Sequence, residues 1–132
     1  MNQAPILFDD FEVGSEMGTS TEVLSEDQLT QWATLYPWDA AHGDAAPSGI
    51  ATVLMMRAYL AVVSPRPPGN LHVRQQMNLH APIAKTGAVS TTISCKSKEL
   101  KAGRRKLELW AEGRSAEGHA LYDGTITLYW AA

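Results

Sequence analysis

Gly49–Val63 reads GIATVLMMRAYLAVV, and how this stretch is buried decides the fold. Apolar residues fill almost every position, with Arg57 the single charge. A helix with no distinct polar face has to be covered by protein on most sides. Ile50 to Val63 spans 14 residues, short of the about 20 that a bilayer crossing needs. Pro65, Pro67, Pro68 and Gly69 follow and end it, because proline withholds the donor that a further turn would use.

Beyond this stretch the apolar period drops from about four to two. Val73, Met77 and Leu79 precede Pro82. Val89, Thr91, Ile93 and Cys95 then alternate, as do Leu107, Leu109 and Ala111, and finally Ile126, Leu128 and Trp130. Turns holding Gly87, Gly103 and Gly118 separate the runs, and such short connections require antiparallel pairing. Upstream, Phe11–Leu24 reads as an extended segment in which Thr19, Thr21 and Val23 alternate. Ser25 with Gln28 forms a capping-box pattern, and Glu26 and Asp27 suit the positive helix end. Leu29, Trp32, Ala33 and Tyr36 then share one helical face until Pro37 ends it. The outline is strand, short helix, loop, long buried helix and about four antiparallel strands. This is an α+β chain, expected to be one domain over 1–132, in which a curved antiparallel sheet wraps around a central helix. That architecture is the hotdog fold, which pairs edge to edge into dimers.

Composition narrows the function. The 132 residues are 45% hydrophobic and 19% charged, with a net charge of −3, which excludes a charge-rich disordered chain. The acidic balance disfavours a nucleic-acid or anionic-membrane surface, both of which need a basic footprint. The one compact basic cluster, Lys101–Lys106, reads as a solvated turn. A single cysteine, Cys95, leaves no internal disulfide or cysteine-based metal framework and reads as a packed thiol. The first residues, Met1–Pro5, carry neither the basic nor the apolar part of a secretory signal. A cytoplasmic protein without metal or cofactor is expected.

Three stretches resemble one known group. Phe8–Gly14 (FDDFEVG) resembles the opening of MaoC-like dehydratases, the R-specific enoyl-thioester hydratases of the hotdog superfamily. Tyr36–Asp44 (YPWDAAHGD) resembles their active-site loop, and Pro47–Arg57 (PSGIATVLMMR) the start of their central helix. Ala81-Pro82-Ile83 with Gly87 resembles a strand-connecting turn of the same group. The resemblance implies hydration of a 2-enoyl thioester, or dehydration of a 3-hydroxyacyl thioester, on coenzyme A or a carrier protein. It gives His42 the acid/base role and Gly49 the backbone donor to the thioester oxygen. Apart from any family, a helix start presents unpaired amides, and glycine lets a ligand approach them. Ser48 would cap the helix or add a hydroxyl donor, and Trp38 falls inside the same loop.

The chain also departs from that pattern. The family's catalytic Asp, five residues before the His, is replaced by Pro37, and its Asn or Gln by Asp39. The link from His42 to Gly49 is shorter than the family's by roughly a helical turn or two. Asp39 is the expected substitute carboxylate, and Asp44 the other candidate. Two alternatives follow, a hotdog thioesterase or a non-catalytic acyl-binding subunit of a heteromeric dehydratase. The expected partners are an acyl thioester or related small molecule and a second hotdog chain, identical or different. His72 and His80, eight residues apart, are expected on one face of a strand with no acid nearby.

Overall fold

The computed structural model describes residues 3–39 and 43–132. It contains five strands, β1 (Glu16–Val23), β2 (Leu71–Leu79), β3 (Ala88–Lys101), β4 (Arg104–Ser115) and β5 (Ala120–Trp130). They form one antiparallel sheet in the order β1-β3-β4-β5-β2. Two helices, α1 (Glu26–Leu35) and α2 (Ile50–Val62), separate β1 from β2. A short 3₁₀ turn at Phe8–Asp10 precedes β1.

The sequence patterns explain these elements. Ser25 Oγ accepts from Gln28 N at 3.1 Å and Gln28 Oε1 accepts from Ser25 N at 2.8 Å, completing the capping box of α1. β3 and β4 alternate almost strictly between core and outside, and Ala102 and Gly103 turn between them with positive φ. The side chains of Ile93, Cys95, Leu107, Leu109, Ile126 and Leu128 meet those of Leu54, Met55 and Ala58 of α2 in one core. Phe11 closes the far end, edge-on to Trp130 at 5.1 Å. The Lys101–Lys106 cluster is the exposed tip of the β3–β4 hairpin and its return. Cys95 is buried, and that burial pushes its thiol up despite the nearby Lys98 ammonium.

Within one chain α2 is covered on one face only, the side turned to its own sheet. Ile50, Ala51, Leu54, Met55, Ala58 and Tyr59 are buried, whereas Thr52, Arg57, Leu60 and Ala61 are exposed. A five-stranded sheet has only one side to offer a helix, so the uncovered apolar positions face outward. One expectation needs correcting: His72 and His80 do not share a face. The register of β2 against β5 shifts between His72 and Arg74, where an extra residue interrupts the ladder. One inserted residue inverts the alternation for everything beyond it. His72 consequently stands opposite core residue Leu128 and joins Met56, Tyr59 and Leu60 around a groove beside α2. His80, past the shift, pairs with β5 on the other side through Asp123.

Candidate active site

Residues 37–49 carry the chain from α1 to α2, and the described part of this loop is tied down at both ends. Asp39 N donates to Tyr36 O at 3.0 Å, just past Pro37. Further on, Lys85 N donates to Asp44 O at 2.9 Å and Ala46 N to Ile83 O at 2.7 Å, with a bridge between Ala45 and Ala84. Between these ties lies a cavity of about 520 Å³. Ala45, Ala46 and Pro47 line it with Leu79, Ala81, Pro82 and Ile83, and Trp38, Asp39, Ser48 and His80 complete the lining.

The polar end of the cavity is built around Asp39. Its Oδ1 accepts from Ser48 N at 3.1 Å and from Ser48 Oγ at 3.0 Å. Its Oδ2 accepts from Gly49 N at 2.9 Å and from Trp32 Nε1 at 3.0 Å. A carboxylate offers about four acceptor positions, and here all are taken. Burial alone would raise the Asp39 carboxyl, but the four donors, led by the Gly49 amide, outweigh it and hold the group below the usual carboxylate range. The two amides that lead into α2 are thus held by a carboxylate nine and ten residues upstream, where the positive end of the helix favours an anion.

Gly49 is required by space. A Cβ there would lie 2.6 Å from Trp32 Cζ2 and 2.7 Å from Asp39 Oδ2. Trp32 is held in turn by Tyr36, whose ring centroid is 4.5 Å away, and Tyr36 meets Trp38 edge-on at 5.8 Å. Trp38 itself is 79% exposed at the cavity rim.

The expected site residues are thus only partly assembled. Asp39, Ser48, Gly49 and Trp38 converge as the loop reading requires, but with the Asp39 carboxylate on the very amide that was expected to receive a thioester oxygen. Ser48 does not cap the helix with its hydroxyl; its backbone N–H and its hydroxyl both donate to Asp39 Oδ1. Asp44 is exposed and stands outside the described cavity wall. His42 lies outside the described residues. Among the described residues no cluster of His, Cys, Asp and Glu could hold a metal, and no helix is long and apolar enough to cross a membrane.

Sequence reasoning missed two groups. Trp32 was read as part of an apolar face, yet its indole N–H serves Asp39. His80, read as a histidine without an acid, has its Nε2 2.7 Å from Asp123 Oδ2, while Asn78 Nδ2 donates to Asp123 Oδ1 at 2.8 Å. Burial would raise the Asp123 carboxyl, but the hydrogen bonds from Asn78 and His80, with the imidazole's charge, lower it overall. No local pattern links residues 80 and 123. Only the β2–β5 register brings them together, with Asn78 directly opposite Asp123.

No protein-family model matches the chain, and no curated protein sequence matches it significantly. Solved structures do. The R-hydratase PhaJ1 from Pseudomonas aeruginosa superposes with a TM-score of 0.77 at 16% identity, over 96% of this chain and 86% of that one. A MaoC-like dehydratase from Rhodospirillum rubrum gives 0.79 at 10% identity, covering 97% and 99%. HadBC, a 3R-hydroxyacyl-ACP dehydratase complex from Mycobacterium tuberculosis, gives 0.67 at 14% identity, covering 83% and 90%. The chain has the hotdog fold, an α+β architecture, and these three neighbours in structure are a hydratase and two dehydratases.

Proposed function

We infer that the chain is a hydratase/dehydratase that adds water to a 2-enoyl thioester or removes it from a 3-hydroxyacyl thioester, and that the 520 Å³ cavity is where it acts. The observation that carries this reading is that the Ser48 and Gly49 amides meet on Asp39, which together with Ser48 lines this largely apolar cavity. An acyl chain suits walls made by Ala45, Ala46, Pro47, Leu79, Pro82 and Ile83. The reaction gathers negative charge on the thioester oxygen, and amides at a helix start stabilise that charge. By resemblance, His42 grips the reacting water together with a second acid/base group.

Asp39 is assigned a holding role. With its acceptor positions filled it has none left to take a proton from water, so it marks and shapes the oxygen site. The substrate oxygen displaces Oδ2 from Gly49 N, while Trp32 and Ser48 retain the carboxylate. The chain works beside a second hotdog chain. Support comes from the outer edge of β2, where Leu71, Val73 and Leu79 are about half exposed, and from Leu60 on the uncovered face of α2. Residue Leu79 is both on that edge and in the cavity wall, so a partner there would border the site.

The test is hydration of short and medium 2-enoyl-CoAs by the purified chain, followed by loss of the enoyl absorbance. Wild-type turnover that falls by about 100-fold or more in His42→Ala, with unchanged melting temperature, supports the reading, that being the usual scale for one acid/base group. Release of free thiol would make it a thioesterase. Turnover that appears only on co-purification with a second hotdog chain would make it a subunit of a heteromeric enzyme.

A further inference from the structure

The loop lacks the carboxylate that would pair with a histidine, because Pro37 stands in its place and Asp39 is fully engaged. The sheet holds a His–carboxylate pair at the same cavity. His80 lines the cavity wall, its side chain is 42% exposed, and its Nε2 is 2.7 Å from Asp123 Oδ2. Asn78 holds the other carboxylate oxygen, and both His80 N and Ala81 N donate to Leu121 O, at 2.9 and 3.3 Å, which fixes the backbone that carries the ring. A carboxylate on Nε2 selects the tautomer with the proton there and leaves Nδ1 with a free lone pair. Among the described residues Nδ1 has no hydrogen-bond partner. A half-exposed, oriented imidazole with one open nitrogen, on a residue that lines a largely apolar cavity, has the features of a general acid/base.

We propose that His80, oriented by Asp123, is a catalytic acid/base of this site, taking the part of the carboxylate missing at Pro37. This rests on the hydratase reading. In hydration, His80 Nδ1 takes a proton from water as the water oxygen bonds to C3 of the enoyl group. The C2–C3 π pair moves into an enolate delocalised onto the thioester oxygen. The imidazolium then returns a proton to C2, so that one water has been added and His80 is neutral again. The charged and titratable groups around the pair are Asp123 on β5, Glu112 facing Asp123 across the β4–β5 ladder, Arg114 beside Glu112, and Asp39 elsewhere in the cavity wall.

The experiment compares wild type with His80→Gln, His80→Asn and Asp123→Asn on crotonyl-CoA over pH 5 to 9. His72→Gln, whose ring sits in a different groove, is the control. The expected result is a fall in kcat of about 100-fold or more in both His80 variants and a smaller fall in Asp123→Asn, in line with the usual worth of one general base. KM stays within about threefold. His72→Gln stays at the wild-type rate. Matching melting curves exclude misfolding, and either His80 variant that folds suffices. Full activity in a folded His80 variant overturns the assignment and leaves the hydratase reading standing. A wild-type chain that hydrates neither crotonyl-CoA nor longer 2-enoyl-CoAs, alone or with a second hotdog chain, overturns both.

Discussion

Replacing Asp39 by Ala removes four hydrogen bonds at once and leaves the start of α2 uncapped. Losing a helix cap costs about 1 kcal/mol, and a carboxylate at the positive helix end adds roughly 0.3–1 kcal/mol. The orphaned Trp32 indole N–H adds a few tenths more, limited because the site is only part-buried and water can reach it. A total near 2 kcal/mol is therefore expected. With an unfolding entropy of about 2.1 cal/mol/K per residue, a chain of 132 residues loses roughly 7 °C in Tm for 2 kcal/mol. Differential scanning calorimetry at pH 7 and low salt reads this directly. The effect also depends on pH. The folded-state pKa of Asp39 lies below its ordinary value of 3.8, so its contribution is complete above that value and is lost as pH falls through the folded pKa. The gap between wild type and Asp39→Ala should therefore be constant above 3.8, narrow as pH falls below that value and be smallest below the folded-state pKa. A Tm within 1–2 °C of wild type at pH 7, on the scale set by the roughly 7 °C expectation, would refute the cap and return Asp39 to the pool of free carboxylates able to act on water.

Gly49→Ala forces a Cβ against the Trp32 ring and Asp39 Oδ2, and should cost roughly 1–3 kcal/mol, the usual range for overpacking; urea titration measures it, and a neutral result would mean that the ring yields. Tyr122→Phe leaves the buried Thr91 hydroxyl without the phenol it pairs with, for a loss of about 1–3 kcal/mol. Burial also pushes the Tyr122 phenol up to about 12 from 10.0, so the wild type should lose stability as pH rises between those values; Tyr122→Phe should flatten that decline in alkaline melts, and an unchanged slope would contradict it. Leu71→Lys with Leu79→Lys places charge on the exposed β2 edge. Such a pair should abolish self-association in light scattering with little loss in monomer Tm, and an unchanged oligomer would move the interface elsewhere.

Much of the fold was legible because it depends on periods. The apolar block at 49–63 could only be a covered helix, and the alternation after Leu71 could only be a sheet, so the element order followed directly. The capping box at Ser25 was readable because it is satisfied within three residues. Readings that assumed an unbroken strand failed. His72 and His80 were placed on one face by counting, and one register shift in β2 separated them.

The site divides the same way. The approach of Asp39, Ser48 and Gly49 to one another could be expected from a loop that ends at a helix start, because short loops keep their ends close. Which atoms meet could not. Whether Gly49 N faces a ligand or a carboxylate depends on Trp32, which arrives from the preceding helix and takes the fourth hydrogen bond. The partnership of His80 with Asp123 spans 43 residues and is created by strand pairing alone. Local pattern therefore determined where the helices and strands lie and where a loop rich in reactive groups meets a helix. The three-dimensional packing decided which of those groups are engaged and which are left open, because hydrogen-bond saturation is a property of neighbours in space.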